Sequence, residues 1–377
     1  MRRSRNHEQS ITIQPGLITL FGSGETSPGA QKIYHALFAQ MKEAPRVAIL
    51  ETPAGFEPNS EYVAGQVGAY LRKRLQNFRP MVSIVPARKR NTRFSPDDQA
   101  IIAPLYDANT IFTGPGSPTY AVRQLRDSLA WDTVRTLHRL GVGLIFSSAM
   151  VLAISRFTMP IYEIYKVGED LHWKEGLDLF GDFGLSLIFV SHWNNGDGGD
   201  VLDTSRCYLG QDRFTQLLAM LPHDPERRVV GIDENTSLTI DLVNKRCEVR
   251  GAGGVNILYD TKTTRYVAGA FFDLTVLGEY RLPSGYEHLS ETVWRETVAN
   301  VERAESVRCA RPQPDDNTLS LLRQRTEARR QKDWTTADRL RAEIEAAGWR
   351  VLDTPEGSVL EPISDDANAH QIVSQIV

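Results

Sequence analysis

Gly143-Leu-Ile-Phe-Ser-Ser-Ala-Met-Val-Leu-Ala153 decides how this chain folds. Its first residues are an apolar run of strand length, and a serine pair then leads into residues that favour a helix. A buried strand that passes straight into a helix is the repeating unit of a parallel sheet with helices on its faces. In such sheets the carboxyl ends of the strands carry the ligand site, so Ser148 falls on the edge where chemistry belongs. A serine at a helix start also caps free N–H groups, and the position alone leaves both readings open.

The same pattern continues on either side. Leu17–Phe21 ends in Gly22-Ser-Gly24, Arg46–Leu50 ends in Thr52-Pro-Ala-Gly55, and Thr110–Thr113 ends in Gly114-Pro-Gly-Ser-Pro118. Met81–Pro86 adds a further short strand, and helical stretches around Lys32–Met41, Tyr62–Leu75 and Tyr120–Leu125 separate these runs. The fold class expected is α/β, a flavodoxin-like, doubly wound and mostly parallel sheet. After Gly184–Val190 the segments Val229–Asp233, Ser237–Asp241, Cys247–Arg250 and Val255–Tyr259 read as an antiparallel meander that closes this sheet.

The chain has 377 residues, 41% hydrophobic and 24% charged, with a formal net charge of −4. That length suits one large domain and a smaller one, and the charge gives no global attraction to nucleic acid or anionic membrane. Cys207, Cys247 and Cys309 are far apart and odd in number, which fits neither a disulfide framework nor a metal site. The basic opening MRRSRNHEQS lacks an apolar run behind it, and Gly141–Ile154 is too short to span a bilayer. A cytoplasmic protein without membrane contact is expected. Five segments follow: an arm over 1–14, the main domain over 15–305, a proline-containing linker over 306–317, a helical hairpin over 318–363 and a polar tail over 364–377. Trp334, Leu340, Ile344 and Trp349 supply the hairpin's apolar positions, and Gly348 marks its end.

Hydrolysis by a serine requires a nucleophile on a tight turn, a histidine base and backbone N–H groups for the oxyanion. His192 follows an apolar strand and falls on the same edge as Ser148. Gly114 and Gly116 can offer N–H groups where Pro115 and Pro118 cannot, and Ala149 opens the helix behind Ser148. Gly22-Ser-Gly24-Glu25 lacks the lysine of a phosphate loop and the third glycine of a dinucleotide fingerprint. Asn194-Asn-Gly-Asp-Gly-Gly-Asp200 lacks the closing glutamate of a calcium loop and reads as a polar loop. No metal or cofactor is called for.

Taken together, Leu20–Glu25, Phe112–Tyr120, Ser147-Ser-Ala149 and Gly231-Ile-Asp-Glu-Asn-Thr-Ser-Leu238 resemble the cyanophycinase and aspartyl dipeptidase family of serine peptidases, of class I glutamine-amidotransferase-like fold. The resemblance runs over about residues 15–275 and is most specific at Gly231–Leu238. It implies Ser148 as nucleophile, His192 as base and an acid between them, with Glu163 the first choice and Glu169 and Asp170 behind it. Gly114, Gly116 and Ala149 would hold the oxyanion, and Gly24, Glu25, Ser117, Asn194 and Arg206 would line a site for a peptide or amide substrate. Phe146 and Met150 stand where the family's elbow has glycine, so a non-catalytic binding protein is the alternative reading. A second resemblance covers Gln324–Trp334, Ala337–Arg341, Gly348 and Leu352–Gly357, which are similar to the C-terminal helical region of cysteinyl-tRNA synthetases. It implies a tRNA or protein partner for residues 318–363, with Arg323, Arg325, Arg329, Arg330 and Lys332 forming a basic face. Self-association into a homo-oligomer is left open.

Overall fold

The computed structural model describes residues 13–310, 314–354 and 357–363. Most of the arm over 1–14 and all of the tail over 364–377 lie outside them. The chain forms two units, Met1–Glu302 and Arg303–Val377.

In the first unit β1 (Ile18–Phe21), β2 (Arg46–Leu50), β3 (Met81–Val85), β4 (Thr110–Thr113) and β5 (Gly143–Ser147) run parallel. Each is a run of apolar residues, all but β3 almost wholly buried, as expected of strands covered on both faces. The pleat sends successive side chains of β5 to opposite faces. Ile145 joins Ile33, Val67 and Leu71 from the helices Ala30–Phe38 and Ser60–Arg74. Phe146 meets Trp131 of the helix Leu129–Arg139 on the other face, at a ring separation of 6.4 Å. Helices on both faces make the sheet doubly wound.

A short ribbon, β6 (Phe157–Thr158) with β7 (Lys174–Glu175), precedes β8 (Leu187–Val190). Six strands then follow: β9 (Arg228–Ile232), β10 (Thr236–Asp241), β11 (Arg246–Gly251), β12 (Gly254–Tyr259), β13 (Lys262–Val267) and β14 (Phe271–Asp273). They do not close one sheet. The order β14-β11-β10-β1-β5-β4-β2-β3 makes an eight-stranded sheet, whereas β13-β12-β9-β8 is a separate four-stranded sheet. The expected meander is thereby corrected, because its chain crosses between sheets after β9 and again after β11. Asp233 N–H donates to the Gly254 carbonyl and Ala252 N–H to that of Asn235, which fastens the two crossings side by side.

The second unit holds the helices Asp316–Arg330 and Trp334–Ala346, followed by the antiparallel pair β15 (Trp349–Thr354) and β16 (Gly357–Pro362). Asp315 and Asp333 cap the two helices through the N–H groups of Thr318 and Thr336. The hairpin of strands was not expected, and Trp349 opens it rather than closing a helix. Ile344, Trp349 and Val351 are buried against Leu321, Leu322 and Leu360. The linker placed at 306–317 is also corrected in part. The helix Glu291–Ala310 continues through its first residues, since no breaker precedes Pro312, and the next helix starts at Asp316.

Candidate active site

The carboxyl ends of β1, β4 and β5 converge with the loop after β8 and the crossing between β9 and β10. β5 pairs with β1 up to Phe21 opposite Ser147, and Ser148 N–H donates to the Phe21 carbonyl at 3.1 Å. The chain then turns sharply. Ser148 has φ 50° and ψ −110°, a conformation costly for any residue with a Cβ, and the helix Ala149–Ala153 begins immediately after it. Phe146 and Met150 are both 0% exposed, and the Phe146 ring packs near that of Trp131. The tight elbow therefore forms without flanking glycines.

Gly22 draws the other elements onto this turn. Its carbonyl accepts from His192 N–H at 3.1 Å, and its N–H donates to Thr236 at 2.9 Å. A Cβ at Gly22 would stand 2.2 Å from the Asp233 carbonyl oxygen, so only glycine permits this approach. The result is a hydrogen-bonded relay. Ser148 Oγ lies 2.9 Å from His192 Nε2, and His192 Nδ1 lies 2.7 Å from Glu234 Oε1. Asn195 Nδ2 donates to the same Glu234 oxygen at 3.0 Å, and Glu234 N–H donates to Asn194 Oδ1 at 2.7 Å.

The hydrogen bond from His192 holds the Glu234 carboxyl below the usual glutamate range, with Asn195 contributing in the same direction against burial. An ionised Glu234 requires a proton on Nδ1, and in the neutral imidazole that tautomer presents the Nε2 lone pair to Ser148. The Tyr208 ring stands 5.5 Å from that of His192. Burial and the acids Asp197 and Glu234 push its phenol up to about 12, so it stays neutral. Burial likewise pushes the Cys207 thiol up to about 12, which leaves it unreactive behind the site.

The other residues singled out from the sequence divide sharply. Glu163 does not meet His192. It accepts from Thr119 Oγ1 at 2.6 Å and lies 3.5 Å from Lys174 Nζ. Glu169 Oε2 lies 3.7 Å from His172 Nε2, and among the described residues the carboxylate hydrogen-bonded to His192 Nδ1 is that of Glu234, not of Glu169 or Asp170. The carboxylate that meets His192 is instead Glu234, on the crossing between the sheets. Sequence reading missed it by looking between Ser148 and His192, although it lies within Gly231–Leu238, the most specific of the matched segments.

Glu25 Oε2 accepts from Ser147 Oγ at 2.6 Å, one residue from the elbow, and Gly24 with φ 74° turns the loop that brings it there. Ala149 is the first residue of its helix, where an N–H has no acceptor within the helix. Gly114 and Gly116 lie on the turn after β4, which pairs with β5 up to Thr113 opposite Phe146. A Cβ at Gly116 would stand 2.1 Å from the Pro53 carbonyl oxygen, so this turn is pressed against the end of β2. Ser117 is occupied as a helix cap, accepting from Tyr120 N–H at 3.2 Å. Arg206 stacks 4.0 Å over Trp193 and donates to its carbonyl, bracing the histidine loop.

In the second unit the expected basic face is largely neutralised from within. Arg325, 2% exposed, forms a two-pronged contact with Asp353 at 2.9 and 2.8 Å, and Arg329 reaches the same carboxylate at 2.6 Å. Arg330 pairs with Glu327 at 2.8 Å.

Comparison with known proteins follows this division. Residues 311–357 match the family model of the cysteinyl-tRNA ligase anticodon binding domain. A cysteine–tRNA ligase from Burkholderia lata is 51% identical over 45 residues, 12% of this chain and 10% of that protein. The chain thus spans about a tenth of the length of the curated relative it matches. A peptidase from an acI-B1 Actinobacterium superposes with a TM-score of 0.54 at 22% identity, over 70% of this chain and 98% of its own. The chain joins a peptidase-like fold to a segment like the C-terminus of cysteinyl-tRNA ligase. Among the described residues no helix is long and apolar enough to cross a membrane, and no group of His, Cys, Asp and Glu could hold a metal ion.

Proposed function

We propose that the first unit is a serine hydrolase that cleaves a peptide or amide bond. The observation that carries this is the relay of Ser148, His192 and Glu234 on a strained strand-to-helix turn. Ser148 Oγ attacks the carbonyl carbon while His192 Nε2 takes its proton, and the same nitrogen returns a proton to the leaving amine. Glu234 keeps the imidazole in the required tautomer and stabilises its cation. The N–H groups of Ala149 and Gly116 receive the oxyanion. The peptidase with the similar fold supports the same reading.

The test is labelling of the intact protein with a fluorophosphonate. Modification at Ser148 that disappears in Ser148→Ala and His192→Ala is the expected result. A folded protein whose Ser148 stays unlabelled, or labels equally without His192, overturns the reading.

For the second unit the family match favours contact with tRNA. Of the expected basic face, Arg323 and Lys332 are the groups left for it, since Arg325 and Arg329 are engaged by Asp353 and Arg330 by Glu327. Filter binding of tRNA over a salt series tests this, and absent or salt-insensitive binding rejects it.

A further inference from the structure

The relay leaves unused a cleft of about 890 Å³ between the helix Pro118–Leu125 and the turn Glu163–Val167, a volume in the range of small-ligand pockets and ample for a large side chain with its neighbouring backbone. Its apolar wall is formed by Phe56, Tyr120, Tyr162 and Val167. Phe56, Tyr162 and Val167 are 49%, 42% and 75% exposed, a gathering of large apolar groups at one opening. Phe56 packs 5.2 Å from the ring of Tyr120, which backs it.

Two connections join this cleft to the candidate active site. The first is the oxyanion turn, because Ser117, the residue after Gly116, lines the cleft. The second is a row of rings, in which Tyr165, on the same turn as Tyr162, stands 5.6 Å from Tyr208, itself 5.5 Å from His192.

The charges around the cleft cancel. Arg90 pairs with Asp97 at 2.8 Å, Arg126 with Glu175 at 2.9 Å, and Lys174 lies 3.5 Å from Glu163. The rim groups without an ion pair among the described residues are Arg123 and Lys166 against Glu57 and Asp127, two of each sign. An acidic or basic side chain gains no net attraction there, whereas an apolar one covers three exposed hydrophobic groups at once.

We infer that this cleft is a specificity subsite for an uncharged aromatic side chain of the peptide substrate. The inference rests on the hydrolase reading for its link to catalysis, but the recognition itself is testable without turnover.

The test uses the full chain and fluorophosphonates that differ only in carrying a methyl, a benzyl or a carboxymethyl group. The benzyl probe should modify Ser148 about tenfold faster than the methyl probe, as expected for filling a hydrophobic pocket, and the carboxymethyl probe should show no gain. In the Phe56→Ala, Tyr162→Ala double variant the benzyl-to-methyl ratio should fall towards one, with circular dichroism confirming the fold. A ratio near one in the native protein, or one that survives the double substitution, overturns the subsite. Failure of every probe at Ser148 counts against the hydrolase reading instead. The cleft is then read by calorimetry of N-acetyl-L-phenylalanine methylamide on Ser148→Ala protein. Binding that disappears with Phe56 and Tyr162 removed supports the subsite, and no binding rejects it.

Discussion

The two units use one chemical device, a carboxylate held by hydrogen-bonding partners, to opposite ends. In the first, Glu234 takes hydrogen bonds from His192 and Asn195, and His192 passes the contact on to the hydroxyl of Ser148. In the second, Asp353 is surrounded by Arg325, Arg329 and Ser358, two guanidinium groups and a hydroxyl. Both carboxyls are held below their ordinary range by their partners. The difference lies in those partners. An imidazole can gain and lose a proton near neutrality, whereas a guanidinium cannot, so one arrangement can move protons and the other can only hold strands and helix together.

The comparison breaks most visibly at Glu234. Glu234→Gln keeps the shape but not the charge, and it should lower turnover or fluorophosphonate reactivity about a thousandfold with little change in stability. An unchanged rate would reduce Glu234 to a structural prop like Asp353. Asp353→Ala should do the reverse. It strands the buried Arg325, and after allowance for the one-third exposure of the Asp353 side chain the loss is about 2–3 kcal/mol. Hydrogen exchange over residues 314–354 of the full chain should rise while Ser148 reactivity holds.

Acid sharpens the contrast further. Asp353 has its pKa depressed on folding, so its contribution is complete above the unfolded value near 3.8 and fades as pH falls through the folded value. Native and Asp353→Asn proteins should therefore differ in stability at neutral pH and converge in strong acid. A difference that persists at the lowest pH would show that the pair does not act through charge. The smallest effect expected is on tRNA. Arg323→Ala or Lys332→Ala should each reduce the salt slope of binding by about one, whereas Arg330→Ala, already paired with Glu327, should change it less. Equal changes at all three would return the helix to an undifferentiated basic face.

The parallel strands were legible because each is a short apolar run stopped by Gly, Pro or Ser, and their ends coincide with the expected ones to within about a residue. The placement of Ser148 and His192 on this edge was legible for the same reason, since Ser148 directly follows such a strand and His192 comes two residues after one. The partition of the later strands into two sheets was not. β9, β10 and most of β12 are buried along their length, so no alternation of polar and apolar residues shows which sheet receives them. Glu234 was hidden by that partition, because only the crossing between sheets brings it to His192. Arg325 illustrates the same limit in the second unit. It stands among other basic residues in a helix, and its partner lies 28 positions later in a strand whose existence the helical pattern did not suggest.

The route of the chain between the sheets also makes the relay a sensor of their integrity. Ser148 hangs from the eight-stranded sheet, His192 from the four-stranded one, and Glu234 from the segment that joins them. Any local opening that parts the smaller sheet from the larger would separate Ser148 from His192 while most of the backbone remained native. Loss of Ser148 reactivity on warming or in denaturant should then precede loss of helical ellipticity, so that reactivity reports the cohesion of two sheets rather than the survival of either.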